Sequence, residues 1–198
     1  SLLTLLDGIP DGTRVGLRAY GHRHSTSDRP KSCQDIELLF PIAPIDKPAM
    51  KKRVQELACK GLTPIAASIE QAAADFSSGD VKRTIIVLTD GIETCEGDPA
   101  GVARRLRASG LDLTVHVVGF GIDGKDRDSL VGIAAAGGGK YWGASGAKDL
   151  LSGLKEAVKL ALPRFAAKKL WWWFNPHLSC EVEVIEDKGD LLRVKIPE

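Results

Sequence analysis

Strand-like and helix-like patterns of apolar residues alternate along the first 162 positions of the chain. Short runs rich in β-branched and aliphatic residues predict strands, because such residues fit a pleated and buried surface. These runs are "RVGLRAYG" (14–21), "DIELLFPI" (35–42), "RTIIVLTD" (83–90), "LDLTVHVVGFG" (111–121) and "KYWGA" (140–144). The apolar stretch at 85–88 is unbroken, which is typical of a parallel strand covered on both faces.

Between these runs, apolar residues recur at three- and four-residue spacing and predict helices. One such face consists of Ile65, Ile69, Ala72, Ala73 and Phe76. Three polar residues that precede other helical stretches are predicted to cap them: Asp46, Asp98 and Ser145. The helix that follows Asp46 is predicted to span 47–61. Helices alternating with strands predict an α/β fold, here a Rossmann-like, doubly wound and mostly parallel sheet with right-handed crossovers.

The composition changes after residue 162, and we predict a domain boundary there. Residues 163–198 contain "LWWWF" and two alternating runs, "CEVEVIE" and "DLLRVKI". The turn "DKGD" between these runs predicts a β-hairpin. The first domain therefore spans 1–162, and 163–198 form a linker and a hairpin that begin a second, β-rich module.

Charge and hydropathy exclude several classes of function. The 27 Lys and Arg residues nearly balance the 26 Asp and Glu residues, so the net charge of +1 gives no electrostatic reason to expect nucleic-acid binding. No apolar run approaches the roughly 18 residues that a membrane span requires. The sequence has no Gly-x-Ser-x-Gly elbow and no obvious pair of buried carboxylates, so we predict no enzymatic activity.

The loops at the carboxyl ends of the strands contain the candidate chemistry, because ligands bind at this edge of a doubly wound sheet. The loops 21–34, 60–64 and 90–98 should meet there. Their polar and sulfur-bearing residues are His22, His24, Asp28, Cys33, Thr63, Asp90, Glu93, Cys95, Glu96 and Asp98. By pattern alone, Asp90 fits a metal ligand or an ordinary Asp-Gly turn, and Thr63 fits a ligand or an N-cap.

The other residues of these loops also have two interpretations. Glu93 and Glu96 are typical of solvated loop acids, and Asp98 of a helix cap. His22 and His24 together with Cys33 and Cys95 have the ligand types of a zinc site. Alternatively, the histidines lie at the surface, and Cys33 and Cys95 form a disulfide between two loops, which would indicate an oxidising compartment.

The motif "GLTPIAASI", followed further along by "RTIIVLTDGIETCEGDP", resembles the von Willebrand factor type A (VWA) domain. The similarity continues through 113–121, "IAAAGGGKYW" and the last helix, and so covers about 1–162. "RVGLRAYGHR" and "DIELL" are most similar to bacterial members of the family from the cell envelope. The resemblance implies the α/β fold that the hydrophobic pattern also predicts.

The resemblance also implies a metal-ion-dependent adhesion site (MIDAS) for Mg²⁺, or for Ca²⁺ or Mn²⁺ in its place. Thr63 matches the family's threonine before a middle helix, and Asp90 matches the aspartate that follows a later strand. Their hard oxygen atoms suit such cations. The family's Asp-x-Ser-x-Ser loop occurs nowhere in the 198 residues. We therefore expect this chain to open inside the helix that follows that loop, and to lack the first central strand.

The absent strand has a structural consequence. The strands at 14–21 and 83–90 would lose the neighbour between them, so they should either pair directly or leave a split sheet. The metal site would then be incomplete in this chain, with Thr63 and Asp90 as its remaining ligands.

The function that the resemblance implies is a non-catalytic module, periplasmic or at the cell surface, that binds an acidic side chain of a protein partner through the cation. Two alternatives stay open. Some VWA domains are subunits of cytoplasmic metal-chelatase or ATPase complexes. A hydrolase would instead use Asp90 with His22 or His24 in the cleft at the strand ends.

Overall fold

The computed structural model describes residues 2–77, 82–110 and 112–162, and the backbone of three strands between 170 and 195. Its helices are α1 (Leu2–Gly8), α2 (Arg29–Cys33), α3 (Lys47–Gln55), α4 (Ile65–Ala74), α5 (Pro99–Ala108), α6 (Gly124–Ala136) and α7 (Ala147–Ala161). Its strands are β1 (Arg14–Tyr20), β2 (Ile36–Pro44), β3 (Arg83–Thr89), β4 (Leu113–Phe120), β5 (Gly138–Ala144), β6 (Leu170–Asn175), β7 (Leu178–Asp187) and β8 (Leu192–Lys195). The predicted alternation of helices and strands is confirmed.

The strands up to residue 162 form two separate sheets. β3, β4 and β5 are parallel, with β4 in the centre, as the helices between them predict. β1 and β2 pair antiparallel. Within the described part of the chain, β1 pairs only with β2 and β3 only with β4. Of the two arrangements expected without a central strand, the structure adopts the split sheet.

Helices cover both faces of the parallel sheet. On one face, α4, α5 and α6 bury Ile65, Ile69, Val102, Leu130 and Ile133 against Ile85, Val87, Val115 and Val117. On the other face, Leu154 and Ala157 of α7 and Leu5 of α1 pack around Val118. The apolar positions that specify the predicted helices and strands are therefore the positions that form this core.

Side chains join the two sheets where backbone pairing does not. In α1, Leu5 packs on the parallel sheet, while Leu6 packs with Met50 beside β1 and β2. The Tyr20 hydroxyl at the end of β1 donates to the Leu88 carbonyl of β3 at 3.2 Å. These contacts connect the two sheets without backbone pairing between them.

Three predicted local features are wrong. The helix predicted to reach Gly61 ends at Gln55, because the chain leaves it so that the Lys60 and Gly61 amides can donate to the Gly21 carbonyl. Ser145 does not cap α7; Gly146 holds that position, and the Ser145 hydroxyl donates to Asp149 at 2.8 Å. The stretch 21–34, predicted as loop, contains α2.

The C-terminal strands form an antiparallel sheet with β7 in the centre. The two runs of the predicted hairpin lie on β7 and β8, but the turn between them lies outside the described residues and the hairpin stays a prediction. "LWWWF" lies on β6, in a region that we predicted as linker. The side chains of this segment lie outside the described residues, and the boundary at 162 stays a prediction. None of the described helices combines the length and apolar character needed to cross a membrane.

Candidate metal centre

The Thr63 hydroxyl lies beside the turn at the carboxyl end of β3 that contains Asp90. The Thr63 hydroxyl oxygen is 3.5 Å from the point where Gly91 would carry a Cβ atom, so it faces the residue next to Asp90. Asp90 is exposed and Thr63 is half-buried. Within the described residues, neither the Asp90 carboxylate nor the Thr63 hydroxyl makes a hydrogen bond or ion pair. The two predicted ligand groups thus share one edge with their oxygen atoms available.

A turn at the end of β3 sets the direction of Asp90. The buried Thr89 hydroxyl accepts from the Gly91 amide at 3.2 Å and donates to the Gly91 carbonyl at 2.9 Å. Such a hydroxyl turn closes the chain tightly after the strand. Asp90 lies in the middle of this turn and is exposed. Sequence reasoning did not identify Thr89, although a threonine directly before Asp-Gly is the signal for this turn.

Paired hydrogen bonds hold the two ligand-bearing loops together. The Thr63 amide donates to the Thr94 hydroxyl at 2.7 Å, and the Thr94 amide donates to the Thr63 carbonyl at 3.1 Å. This exchange fixes the backbone of Thr63 against the loop that begins at Asp90. The interpretation of Thr63 as an N-cap is wrong, because Pro64 occupies the cap position of α4 and no side chain caps the helix locally.

Glu93 supplies the missing cap from outside the helix. One of its carboxylate oxygens accepts from the Ala66 amide in the first turn of α4 at 2.8 Å, and the other accepts from the Cys95 amide at 2.7 Å. The prediction that Glu93 is a solvated loop acid is therefore wrong. Asp98 does cap α5, as predicted, and accepts from the Gly101 amide at 2.8 Å.

Replacing Glu93 with alanine is expected to lower the free energy of unfolding by about 1–2 kcal/mol, because the amides of Ala66 and Cys95 both lose their acceptor. The matched control is Glu96→Ala in the same loop, where the side chain is 85% exposed and forms an ion pair with the exposed Arg29. That change should cost less than about 0.5 kcal/mol. Urea unfolding followed by circular dichroism measures both, and equal losses would contradict the capping role.

Asp35 organises the loop 21–34. Its carboxylate is buried and accepts from the Arg23 and His24 amides at 2.6 and 2.9 Å and from the Arg23 guanidinium at 2.6 Å. Burial by itself would raise the pKa of Asp35, but these hydrogen bonds outweigh it and lower the pKa to about 2. Asp35 was not among the predicted site residues, because it reads as the first residue of a strand.

The structure joins Cys33 and Cys95 by a disulfide, with their Cα atoms 5.6 Å apart. The bond connects the end of α2 to the loop 90–98. The Ser32 hydroxyl, one residue earlier, accepts from the Leu62 amide at 2.7 Å. α2 therefore contacts both loops that carry the predicted ligands.

Tyr20 lies at the same edge. Burial raises the pKa of its phenol, and the negative charges of Asp90 and Glu93 nearby raise it further, against a hydrogen bond to Thr89. The phenol therefore stays protonated at neutral pH and acts as a hydrogen-bond donor. Its presence beside Asp90 places β1 next to the candidate centre.

The zinc interpretation does not fit the described residues. Cys33 and Cys95 are bonded to each other, and His22 contacts Glu37 through Nε2 at 2.8 Å. Across the described residues, no three His, Cys, Asp or Glu side chains come together as a metal cluster.

A cavity of about 450 Å³ beside the loop 90–98 is lined by Glu93, Asp98 and Ser129 among others, but not by Asp90 or a histidine. It gives the hydrolase alternative no support.

The fold and the edge described above define the class of protein. The chain belongs to the von Willebrand factor type A domain family, which matches residues 1–151. Domains of this family mediate protein interactions. This membership confirms the resemblance and the predicted fold class.

The chain is also similar to individual proteins, one in sequence and two in fold. The chain is 33% identical to the uncharacterized protein YwmD of Bacillus subtilis over 153 residues, which are 75% of this chain and 68% of YwmD. An aerotolerance-related membrane protein from Bacteroides fragilis has a similar fold, with a TM-score of 0.59, 21% identity and coverage of 80% of this chain and 85% of that chain. Proximal thread matrix protein 1 from the mussel byssus, with a zinc-occupied MIDAS motif, gives a TM-score of 0.60, 20% identity and coverage of 81% and 38%.

Proposed function

We propose that the chain is the interaction domain of a cation-dependent binding protein, without catalytic activity of its own. The observation that carries the proposal is that the Thr63 hydroxyl lies beside Gly91, the residue after Asp90, and that neither the hydroxyl nor the Asp90 carboxylate has a hydrogen bond or ion pair within the described residues. The MIDAS motif that holds zinc in the mussel thread protein supports a divalent cation for a domain of this fold. The cation proposed here is Mg²⁺, with Ca²⁺ or Mn²⁺ as substitutes.

The donor chemistry of the edge fits a hard cation but does not fill its coordination shell. A hydroxyl and a carboxylate are oxygen ligands of the kind that Mg²⁺ and Mn²⁺ accept, and the remaining positions would go to water and other oxygen donors. Two protein ligands give weak affinity. The family's Asp-x-Ser-x-Ser loop, absent from the 198 residues, would add the other protein oxygens.

The residues of this chain would orient the cation and the partner. A bound cation would supply a positive charge to which a carboxylate of the partner can coordinate. The double hydrogen bond between Thr63 and Thr94 and the Thr89 turn fix the backbone on which the two proposed ligands stand. Preorganised ligands lose little entropy on binding, which favours a binding role.

An extracytoplasmic location is part of the proposal. A disulfide between two half-exposed cysteines persists in oxidising compartments and is rare in the cytosol. The fold similarity to a protein described as a membrane protein agrees with a cell-envelope setting. The disulfide makes the cytoplasmic chelatase or ATPase alternative less suitable than the cell-surface role.

The test uses Mn²⁺, whose paramagnetism detects weak binding. We expect Mn²⁺ to broaden the backbone amide resonances of Gly91 and Thr94 before those of β4 and β5. Asp90→Asn and Thr63→Val keep the side-chain shapes, and each should weaken Mn²⁺ binding about tenfold or more. Both variants should keep the wild-type unfolding midpoint within error.

Glu96→Gln is the control, because it removes a charge from the same loop at an exposed position. It should leave Mn²⁺ affinity unchanged apart from a small electrostatic effect. Wild-type affinity in Asp90→Asn, or equal losses in all three variants, would refute the proposed site.

A further inference from the structure

α2 is attached to the loop 60–64 by a buried hydrogen bond and to the loop 90–98 by a disulfide. On the side of Thr63, the fully buried Ser32 accepts from the Leu62 amide, and Asp35 secures the preceding loop. On the side of Asp90, the disulfide connects Cys33 to Cys95. In the described part of the chain, α2 also contacts this loop through the ion pair between Arg29 and Glu96 at 3.0 Å, with both side chains more than half exposed. Exposed pairs of this kind contribute little.

Opening of the disulfide would therefore weaken one attachment of α2 and leave the other intact. α2 would remain attached to the loop 60–64 through buried hydrogen bonds, but its firm attachment to the loop 90–98 would be lost. That loop contains Asp90, and Cys95 itself anchors Glu93 through its amide. Cys33 and Cys95 are both half-exposed, and a dithiol that reaches their sulfur atoms would open the bond.

We infer that the Cys33–Cys95 disulfide is a redox-controlled latch that orders the loop 90–98 and, through it, the proposed cation site. In the oxidised state the loop is held against α2. In the reduced state it keeps its bonds to Thr63 and Ala66 and the exposed Arg29–Glu96 ion pair, and it samples positions in which Asp90 departs from Thr63. The control of Asp90 rests on the proposed function, whereas the ordering of the loop does not.

The chemistry of the latch is a thiol–disulfide exchange with a dithiol. A thiolate of the dithiol attacks one of the two sulfur atoms, breaks the bond and forms a mixed disulfide, and the displaced thiolate takes up a proton. The second thiol of the reductant then resolves the mixed disulfide. Cys33 and Cys95 gain two electrons and two protons, and the dithiol leaves as its own disulfide.

Amide hydrogen exchange without any metal tests the latch directly. The reporters are the amides of Thr94 and Cys95, which bond to the Thr63 carbonyl and the Glu93 carboxylate. We expect reduction by dithiothreitol, or Cys33→Ser with Cys95→Ser, to speed their exchange about tenfold. The amides of Ile85 and Val87 in β3 should keep their oxidised rates, which shows that the domain stays folded.

Cys59→Ser is the matched control, because Cys59 is an exposed free cysteine among the described residues and this variant leaves the disulfide intact. Exchange should stay at the wild-type rate in oxidised Cys59→Ser and rise on reduction. Unchanged exchange of Thr94 and Cys95 in both the reduced protein and the double variant would overturn the latch, and so would an equal rise throughout β3.

Mn²⁺ affinity, measured on the same samples, separates the latch from the proposed function. We expect a loss of about fivefold to tenfold on reduction, and the same loss in the double variant. An oxidised protein that binds no Mn²⁺ but shows the exchange response refutes the proposed function and leaves the latch as control of the loop. Equal Mn²⁺ affinity in both redox states refutes the control of the site.

Discussion

Replacing Asp35 with alanine is expected to lower the free energy of unfolding by about 3 kcal/mol, because three donors lose their acceptor at once. Asp35 is 1% exposed and accepts from the two amides of Arg23 and His24 and from the Arg23 side chain. Without the carboxylate, the amides of Arg23 and His24 and the Arg23 guanidinium all lose this acceptor. Urea unfolding at pH 7 measures the loss.

Asp28→Ala is the control for this prediction. Asp28 caps α2 in the same loop, but its side chain is exposed and accepts from the Lys31 amide at 3.3 Å. Its loss should cost about 1 kcal/mol or less. If Asp35→Ala costs no more than Asp28→Ala, the buried carboxylate does not organise the loop.

The pH dependence follows from the same group. The pKa of Asp35 in the folded protein is about 2, below its ordinary value in an unfolded chain, so ionised Asp35 stabilises the fold. This contribution is complete above the unfolded pKa and is lost as the pH falls from about 4 to about 2. The stability difference between wild type and Asp35→Asn should therefore shrink by about 2 kcal/mol across that range. A constant difference would contradict the assignment.

Gly139→Ala is expected to cost about 3 kcal/mol, because the new methyl group would meet backbone that cannot move away. A Cβ atom at Gly139 would lie 2.0 Å from the Val115 carbonyl oxygen and 2.9 Å from the His116 ring. The register between β4 and β5 shifts at this point, where the Lys140 amide donates to His116 Nδ1 at 3.0 Å. β5 would have to separate from β4 to admit the methyl group.

Gly143→Ala, in the same strand, is the matched control. A Cβ atom there would make only ordinary contacts, 3.4 Å from the Tyr141 hydroxyl at the nearest. Its effect should stay within about 0.5 kcal/mol, because the substitution adds no clash and reduces the freedom of the unfolded chain. Thermal unfolding of the two variants side by side distinguishes steric exclusion at Gly139 from a general intolerance of alanine in β5.

Hydrophobic spacing was enough to predict most elements, and it failed where long-range bonds compete with local preference. The apolar face from Ile65 to Phe76 and the run at 85–88 predict α4 and β3 because their burial decides their structure. The end of α3 was missed, because Lys60 and Gly61 bond to Gly21, a residue far away in sequence. No local pattern contains that partner.

In the candidate site, too, the sequence suggested some residues and missed those whose role depends on distant parts of the chain. Motif similarity suggested Thr63 and Asp90 as metal ligands, which stays a prediction, and loop position suggested the Cys33–Cys95 disulfide that the structure contains. The sequence did not show that Glu93 caps α4, because the Ala66 amide that it accepts from lies twenty-seven positions earlier in the chain. Asp35 was missed for a related reason: the donors that surround it come from a loop whose path only the folded chain defines.

The amino-acid sequence by itself determined the order of helices and strands, the apolar faces that form the core, the family and the two oxygen-bearing residues that match its metal site. These properties depend on side-chain type and short spacing, which are local. Only the tertiary structure decided that the sheet is split, that Thr63 faces the Asp90 turn and that α2 is bonded to both neighbouring loops. Those properties depend on distances between residues far apart in sequence, which are set by how the packed elements share space and satisfy buried hydrogen-bonding groups.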